Sequence, residues 1–73
     1  MQDLKNKDNN ISGVVTEVLP NTLFMVKRDD NGEDLMCYLA GKMRLNNIRV
    51  IIGDKVIVFV DQYGGKGRII RRM

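Results

Sequence analysis

The chain has no histidine, no tryptophan, one cysteine and one proline among its 73 residues, and each absence excludes something. Without histidine there is no ordinary Ser-His or Cys-His nucleophile pair, and the commonest side-chain metal ligand is missing. Cys37 has no partner for an internal disulfide. Set among Leu35, Met36, Tyr38 and Leu39, it reads as a small strand residue of a protein kept in a reducing compartment. No glycine-rich loop followed by Lys and Ser or Thr is present to cradle a phosphate. No segment approaches the roughly 18 apolar residues of a membrane span, and the opening Met1 to Asn10 lacks the apolar stretch of a signal peptide. Asp29, Asp30, Glu33 and Asp34 crowd one turn but lack the oxygen spacing of a calcium loop, so they read as solvated turn residues. These exclusions predict a soluble, cytoplasm-type protein with no enzymatic activity, no metal and no cofactor.

What is present is an uneven distribution of charge. Residues 1–34 carry four cations against seven acids, whereas residues 35–73 carry eight cations against two. A polyanion would meet the second half first. The stretch Gly41 to Val50 holds Lys42, Arg44 and Arg49 with no acid among them, and Lys66-Gly67-Arg68 with Arg71-Arg72 forms a second basic cluster. Lysine offers a point charge to phosphate; arginine offers a planar fork that bridges phosphate oxygens or stacks on a base. A merely solubilising surface is the competing reading, and so clean a segregation of sign argues against it.

Residues 1–9 are polar with one large apolar side chain, Leu4, and read as a mobile tail; the ordered domain is expected over residues 10–73. Ile11 to Leu19 is rich in β-branched residues and forms strand one, with Gly13 marking a bend or bulge. Pro20-Asn21 is turn chemistry. Thr22 to Arg28 alternates as strand two, with Phe24 and Val26 on the inner face. Asn31-Gly32 signals a hairpin into strand three, Asp34 to Ala40, with Leu35, Cys37 and Leu39 inward. Lys42 to Asn47 suffices for about one helical turn, too short to stand alone and therefore held by packing Met43 or Ile48 on the core. Strand four runs from Lys55 to Asp61 with Val56, Val58 and Val60 on one face. Tyr63-Gly64-Gly65-Lys66 is a loop whose glycines let a ligand approach, and strand five covers Gly67 to Arg72. This order predicts an all-β, five-stranded OB-fold Greek-key barrel with a short helical turn between strands three and four. An SH3-like barrel also uses about five strands but gives no reason for the Lys42 to Asn47 segment.

Phe24, Tyr38, Phe59 and Tyr63 are the whole aromatic set, too few for a binder that tracks unpaired strands of any sequence. The expected partner is a shaped RNA surface gripped through phosphates, sugars and a few splayed bases. Alternation also turns Leu23, Met25, Met36, Tyr38, Ile57 and Phe59 outward. If strands two, three and four adjoin, these residues form an apolar patch of the kind that meets a protein partner. A free-standing RNA chaperone of cold-shock type and a protein-interaction module therefore stand beside the reading as a docked RNA binder.

Five motifs in register, Leu19-Pro20-Asn21-Thr22-Leu23-Phe24-Met25-Val26, Gly41-Lys42-Met43-Arg44, Ile48-Arg49-Val50, Gly53-Asp54-Lys55-Val56 and Lys66-Gly67-Arg68-Ile69, closely resemble the bacterial translation initiation factor one family over residues 10–72. The resemblance implies a non-catalytic OB-fold protein that is monomeric when free and works in the cytoplasm or a plastid stroma. Members bind the A site of the small ribosomal subunit, between the decoding-site helix of 16S-type rRNA, a neighbouring RNA loop and a small-subunit ribosomal protein. They pull the decoding adenines from their stack, block premature tRNA entry and cooperate with initiation factors two and three. The family's RNA-contacting loop falls on Lys42, Met43 and Arg44, its following arginine on Arg49, and its distal contacts on Lys66, Arg68 and Arg71. The chain departs from the family pattern at Leu45, commonly basic, at Asn47, often aromatic, and in a loop before Lys66 one residue shorter than usual. Met25, Met36, Ile57 and Phe59 stand where many members are more polar.

Overall fold

Branched side chains at Cβ fit a pleated, half-buried surface, and the Val- and Ile-rich segments form strands accordingly. The computed structural model describes residues 10–61 and 65–73. Within them lie β1 (Asn10–Leu19), β2 (Leu23–Arg28), β3 (Asp34–Leu39), β4 (Lys55–Phe59) and β5 (Gly67–Arg72), with the helix α1 (Gly41–Leu45) between β3 and β4. The strands close into a barrel in the order β1-β2-β3-β5-β4. Only β3 and β5 run parallel; the other four pairings are antiparallel. This is the five-stranded OB-type barrel expected from the order of elements. The anticipated tail at residues 1–9 and the loop positions Tyr63 and Gly64 lie outside the described residues.

Several boundaries differ from expectation for local reasons. Asn21 and Thr22 both take positive φ, 64° and 56°, so Thr22 belongs to the turn and β2 starts at Leu23. β4 leaves the ladder after Phe59, although Val60 still packs on the core. The bulge in β1 sits not at Gly13 but at Thr16, where the register with β2 shifts between Val15 and Glu17 and the Thr16 hydroxyl donates to the Met25 carbonyl at 3.2 Å. Gly13 answers a different need, because a Cβ there would lie 2.6 Å from the Lys27 carbonyl oxygen. Gly67, at the head of β5, serves packing: its Cβ would meet Val58 Cγ1 at 2.6 Å and Leu35 Cδ2 at 2.9 Å.

Alternation correctly turns Phe24, Val26, Cys37, Leu39, Val56 and Val58 into the core, while Leu35 and Val60, also expected inward, are half-buried against it. Val15, Val26, Cys37, Val56, Val58 and Ile69 are essentially solvent-free, with Phe24 and Leu39 beside them. Met43 and Val50 complete the core from outside the strands, and Ile48 packs against it. The outward patch is arranged differently from the expectation, because β5 lies between β3 and β4 and separates Met36 and Tyr38 from Ile57 and Phe59.

Burial raises the Cys37 thiol pKa from 9.0 to about 11. The folded chain therefore holds this proton more tightly than the unfolded chain, a contribution present in full below pH 9 and lost as the pH approaches 11. Denaturation midpoints should fall across that interval, and the fall should disappear in Cys37→Ser after correction for its lower baseline stability. Truncating Phe24, 5% exposed, to Ala should destabilise the barrel by about 3 to 5 kcal/mol, measured by urea titration.

Candidate nucleic-acid interface

The helix α1 is only five residues long and has no side-chain cap at its N-terminus. It persists because Met43, 1% exposed, drives into the core, and because the Ala40 carbonyl accepts from the amides of both Met43 and Arg44 at 3.0 and 3.2 Å. With that side chain directed inward, Lys42 and Arg44 in the same turn project to solvent. Asn47 ends the turn in the left-handed region at φ 54°, a conformation asparagine tolerates better than most residues. The chain then extends, with Arg49 exposed and Val50 buried.

A second clamp holds the far end of this connection. Asp54 Oδ2 accepts from the Ile51 amide at 2.9 Å and forms an ion pair with Arg72 Nε at 3.3 Å, tying the turn after Arg49 to the last strand. The same turn pairs with β1, where Val15 donates to the Asp54 carbonyl at 2.9 Å and accepts from Gly53 at 2.8 Å. Arg49 is therefore displayed between two fixed points, Met43 in the core and Asp54 on β1 and β5.

Between α1 and the end of β5 lies an open groove of about 480 Å3, within the size range of sites that hold small planar ligands. Met43, Ile48, Ile70 and Met73 supply its apolar lining, and Lys42, Arg71 and Arg72 its charge. Lys42 and Arg71, 29 residues apart in sequence by their numbers, thus face a common space. Ile70 and Met73 in this lining were missed as site residues, and Arg72 was read only as a member of the second basic cluster. No residue pattern marks them: the register shift in the β4 to β5 ladder between Ile57 and Val58, which breaks the alternation beyond Ile69, is set only by the folded barrel.

The remaining basic residues are placed elsewhere. Arg68 sits on the barrel wall opposite Tyr38 of β3 and Phe59 of β4, with its guanidinium carbon 5.2 Å from the Phe59 ring centroid. Lys66 is exposed just before β5. The structure gathers Lys42, Arg44 and Arg71 around the α1 end, while Arg68 and Lys66 lie about 10 to 16 Å farther down the strand from Arg71, given a rise of roughly 3.3 Å per residue.

The two halves of the chain also differ in how their charges are used. Arg28 pairs with Asp30 at 2.8 Å and Lys55 with Asp29 at 2.9 Å. The Lys55 ammonium and the Ser12 hydroxyl hold the Asp29 carboxyl below its ordinary range, and Arg28 does the same for Asp30. Among the described residues, Lys42, Arg44, Arg49, Lys66 and Arg71 form no ion pair with a carboxylate. Asp29 and Asp30 of the β2 to β3 hairpin are thus engaged with local cations, whereas among the described residues at the α1 end only Arg72 is paired, with Asp54. Among the described residues no cluster of three or more His, Cys, Asp or Glu side chains is arranged to hold a metal, and no helix is long and apolar enough to cross a membrane.

A closed five-stranded barrel with a helix between its third and fourth strands and a basic face at that end defines a small OB-type domain. Comparison with known proteins narrows the class. The model of the family described as translation initiation factor 1A / IF-1 matches residues 1–73. The solution structure of translation initiation factor one from the Wolbachia endosymbiont strain TRS of Brugia malayi is similar at 40% identity, with a TM-score of 0.73, over 96% of this chain and 87% of that one. The crystal structure of YjeQ from Thermotoga maritima is similar at 30% identity, with a TM-score of 0.75, over 88% of this chain; the match spans 22% of the YjeQ chain. The chain belongs to the translation initiation factor 1A / IF-1 family.

Removing the Asp54 carboxylate should release the turn that carries Arg49. Asp54→Ala is expected to cost about 1 to 2 kcal/mol and to speed hydrogen exchange at the Ile51 amide, read by NMR, while exchange at Val26 and Val58 slows or speeds only with global stability.

Proposed function

We propose that this protein is a translation initiation factor that binds the A site of the small ribosomal subunit, where its α1 end contacts decoding-site rRNA. The observation that carries this reading is a set of cations without carboxylate partners among the described residues: Lys42, Arg44 and Arg49 on a connection clamped at Met43 and Asp54, with Arg71 of β5 facing Lys42 across the groove. Family membership supports it. Occupying that site blocks premature entry of tRNA, and the complex is shared with a small-subunit ribosomal protein and with initiation factors two and three. Lys66 and Arg68 reach a second stretch of rRNA. The chain performs this by fit and charge, with no catalytic step.

The physics divides between affinity and selectivity. Four phosphates neutralised at about 0.7 to 0.9 counterions each give a log-log salt slope near −3, or roughly a 50- to 150-fold loss of affinity between about 50 and 200 mM salt. Charge of this kind attracts any RNA. Selectivity comes from the groove between α1 and β5, whose apolar lining and arginine planes offset the few kcal/mol needed to draw a base from its stack.

Arg44 is exposed and makes no packing contact in the core, so Arg44→Ala should leave the melting temperature unchanged while weakening association with purified small subunits by about 1 to 3 kcal/mol in sedimentation assays. Excess unstructured RNA should compete poorly. A variant that melts early without a specific loss of binding would place Arg44 in the framework instead, and equal competition by unstructured RNA would favour a free-standing chaperone.

A further inference from the structure

Asn31, at the tip of the β2 to β3 hairpin, is followed by glycine, whereas Asn10, Asn21, Asn46 and Asn47 precede Ile11, Thr22, Asn47 and Ile48, whose side chains crowd the amide beside them. Nothing lies within 4 Å of where a Cβ on Gly32 would stand, so the Gly32 nitrogen is open to close approach. Two hydrogen bonds then set the chemistry of the pair. Asn31 Oδ1 accepts from the Glu33 amide at 2.9 Å, which turns the carboxamide forward along the chain and draws electrons from its carbon. The Gly32 amide donates to the Arg28 carbonyl at 3.0 Å. The electrophile is thus polarised while the nucleophile is held. Arg28 braces the same turn through its side chain, with Nε and Nη2 donating to Asp30 Oδ1 and Oδ2 at 3.0 and 2.8 Å.

We infer that Asn31 is a modification site, converted to aspartate and isoaspartate by attack of the Gly32 nitrogen at a rate set by opening of the Gly32–Arg28 hydrogen bond. The released Gly32 amide gives its proton to hydroxide, and its nitrogen adds to Asn31 Cγ. The carbonyl electron pair moves onto Oδ1, where the Glu33 amide stabilises it as a donor stabilises an oxyanion. That pair returns as the Cγ–Nδ2 bond breaks, and Nδ2 takes a proton from water and leaves as ammonia. Water then opens the cyclic imide. Addition at Cγ gives aspartate; addition at the Asn31 backbone carbonyl carbon gives isoaspartate, with an extra methylene in the main chain. Either product adds a carboxylate to the turn that already carries Asp29, Asp30 and Glu33. Isoaspartate also moves the Gly32 amide away from Arg28 and so loosens the end of the ladder where Lys27 faces Asp34. A hydrogen bond in an exposed turn opens far more often than the barrel unfolds, so conversion proceeds in the folded protein. The inference uses none of the α1 cations and stands apart from the proposed function.

The test is peptide mass spectrometry of the full chain incubated at mildly alkaline pH, folded and in urea, following the mass gain of amide turned to acid at Asn31, with Asn21 and Asn47 as internal references. Asn31 should convert first in both samples, and roughly 2- to 12-fold more slowly in the folded one, the range set by the worth of one hydrogen bond. Arg28→Ala, which removes the brace across the turn, should bring the folded rate toward the rate in urea, with melting curves verifying that the barrel persists. Asn31→Gln should remove the signal. Conversion of Asn21 or Asn47 ahead of Asn31 would overturn the site. A folded rate equal to or above that in urea, or an unchanged rate in folded Arg28→Ala, would overturn the gating by Arg28. Conversion confined to the urea sample would overturn modification of the native hairpin.

Discussion

The burial of Met43 is the contact on which the arrangement depends. A five-residue helix without a side-chain cap has no independent stability, and α1 exists because one methionine is 1% exposed among Val and Ile side chains of a closed barrel. That single inward side chain fixes the rotation of the turn, and the rotation sends Lys42 and Arg44 to solvent. The flexible thioether suits the task, since it fills the irregular space left where five strands converge. Once α1 is set, the extended stretch through Arg49 is held taut between it and the Asp54 clamp, and β5 supplies Arg71 from the other side.

The charge segregation visible along the chain acquires a spatial meaning in the barrel. Asp29 and Asp30 of the β2 to β3 hairpin are engaged by Arg28, Lys55 and Ser12, whereas the cations of α1 face solvent without carboxylate partners among the described residues. In the proposed role, a polyanion orients a molecule so divided before contact, through its field, and the shape of the groove beside α1 discriminates at short range.

Most of the fold was legible from residue patterns. Alternation in Leu23–Arg28 and Asp34–Leu39, the Asn31-Gly32 turn and the valine spacing at 56 and 58 indicated five strands and their inner faces, because a half-buried sheet imposes a two-residue period. What escaped were features set by closure. Thr22 joined the turn through a positive φ that its β-branched side chain does not advertise. Gly67 proved to be a packing residue because Leu35 and Val58 converge on it from two different strands. The cations of the candidate site were legible one by one, and the groove that joins Lys42 to Arg71 was not, since it depends on where β5 runs past α1. The separation of Met36 and Tyr38 from Ile57 and Phe59 was hidden for the same reason: β5 inserts between β3 and β4, pairing parallel with β3.

The most direct test of the central claim is an NMR titration of the isotopically labelled protein with an RNA hairpin carrying the decoding-site helix. If α1, held by Met43, presents the gripping surface, amide shifts will concentrate at residues 41–49 and 70–73 and leave the acidic turn at residues 29–33 unmoved. Shifts centred on that acidic turn, or spread evenly over the barrel, would contradict the account.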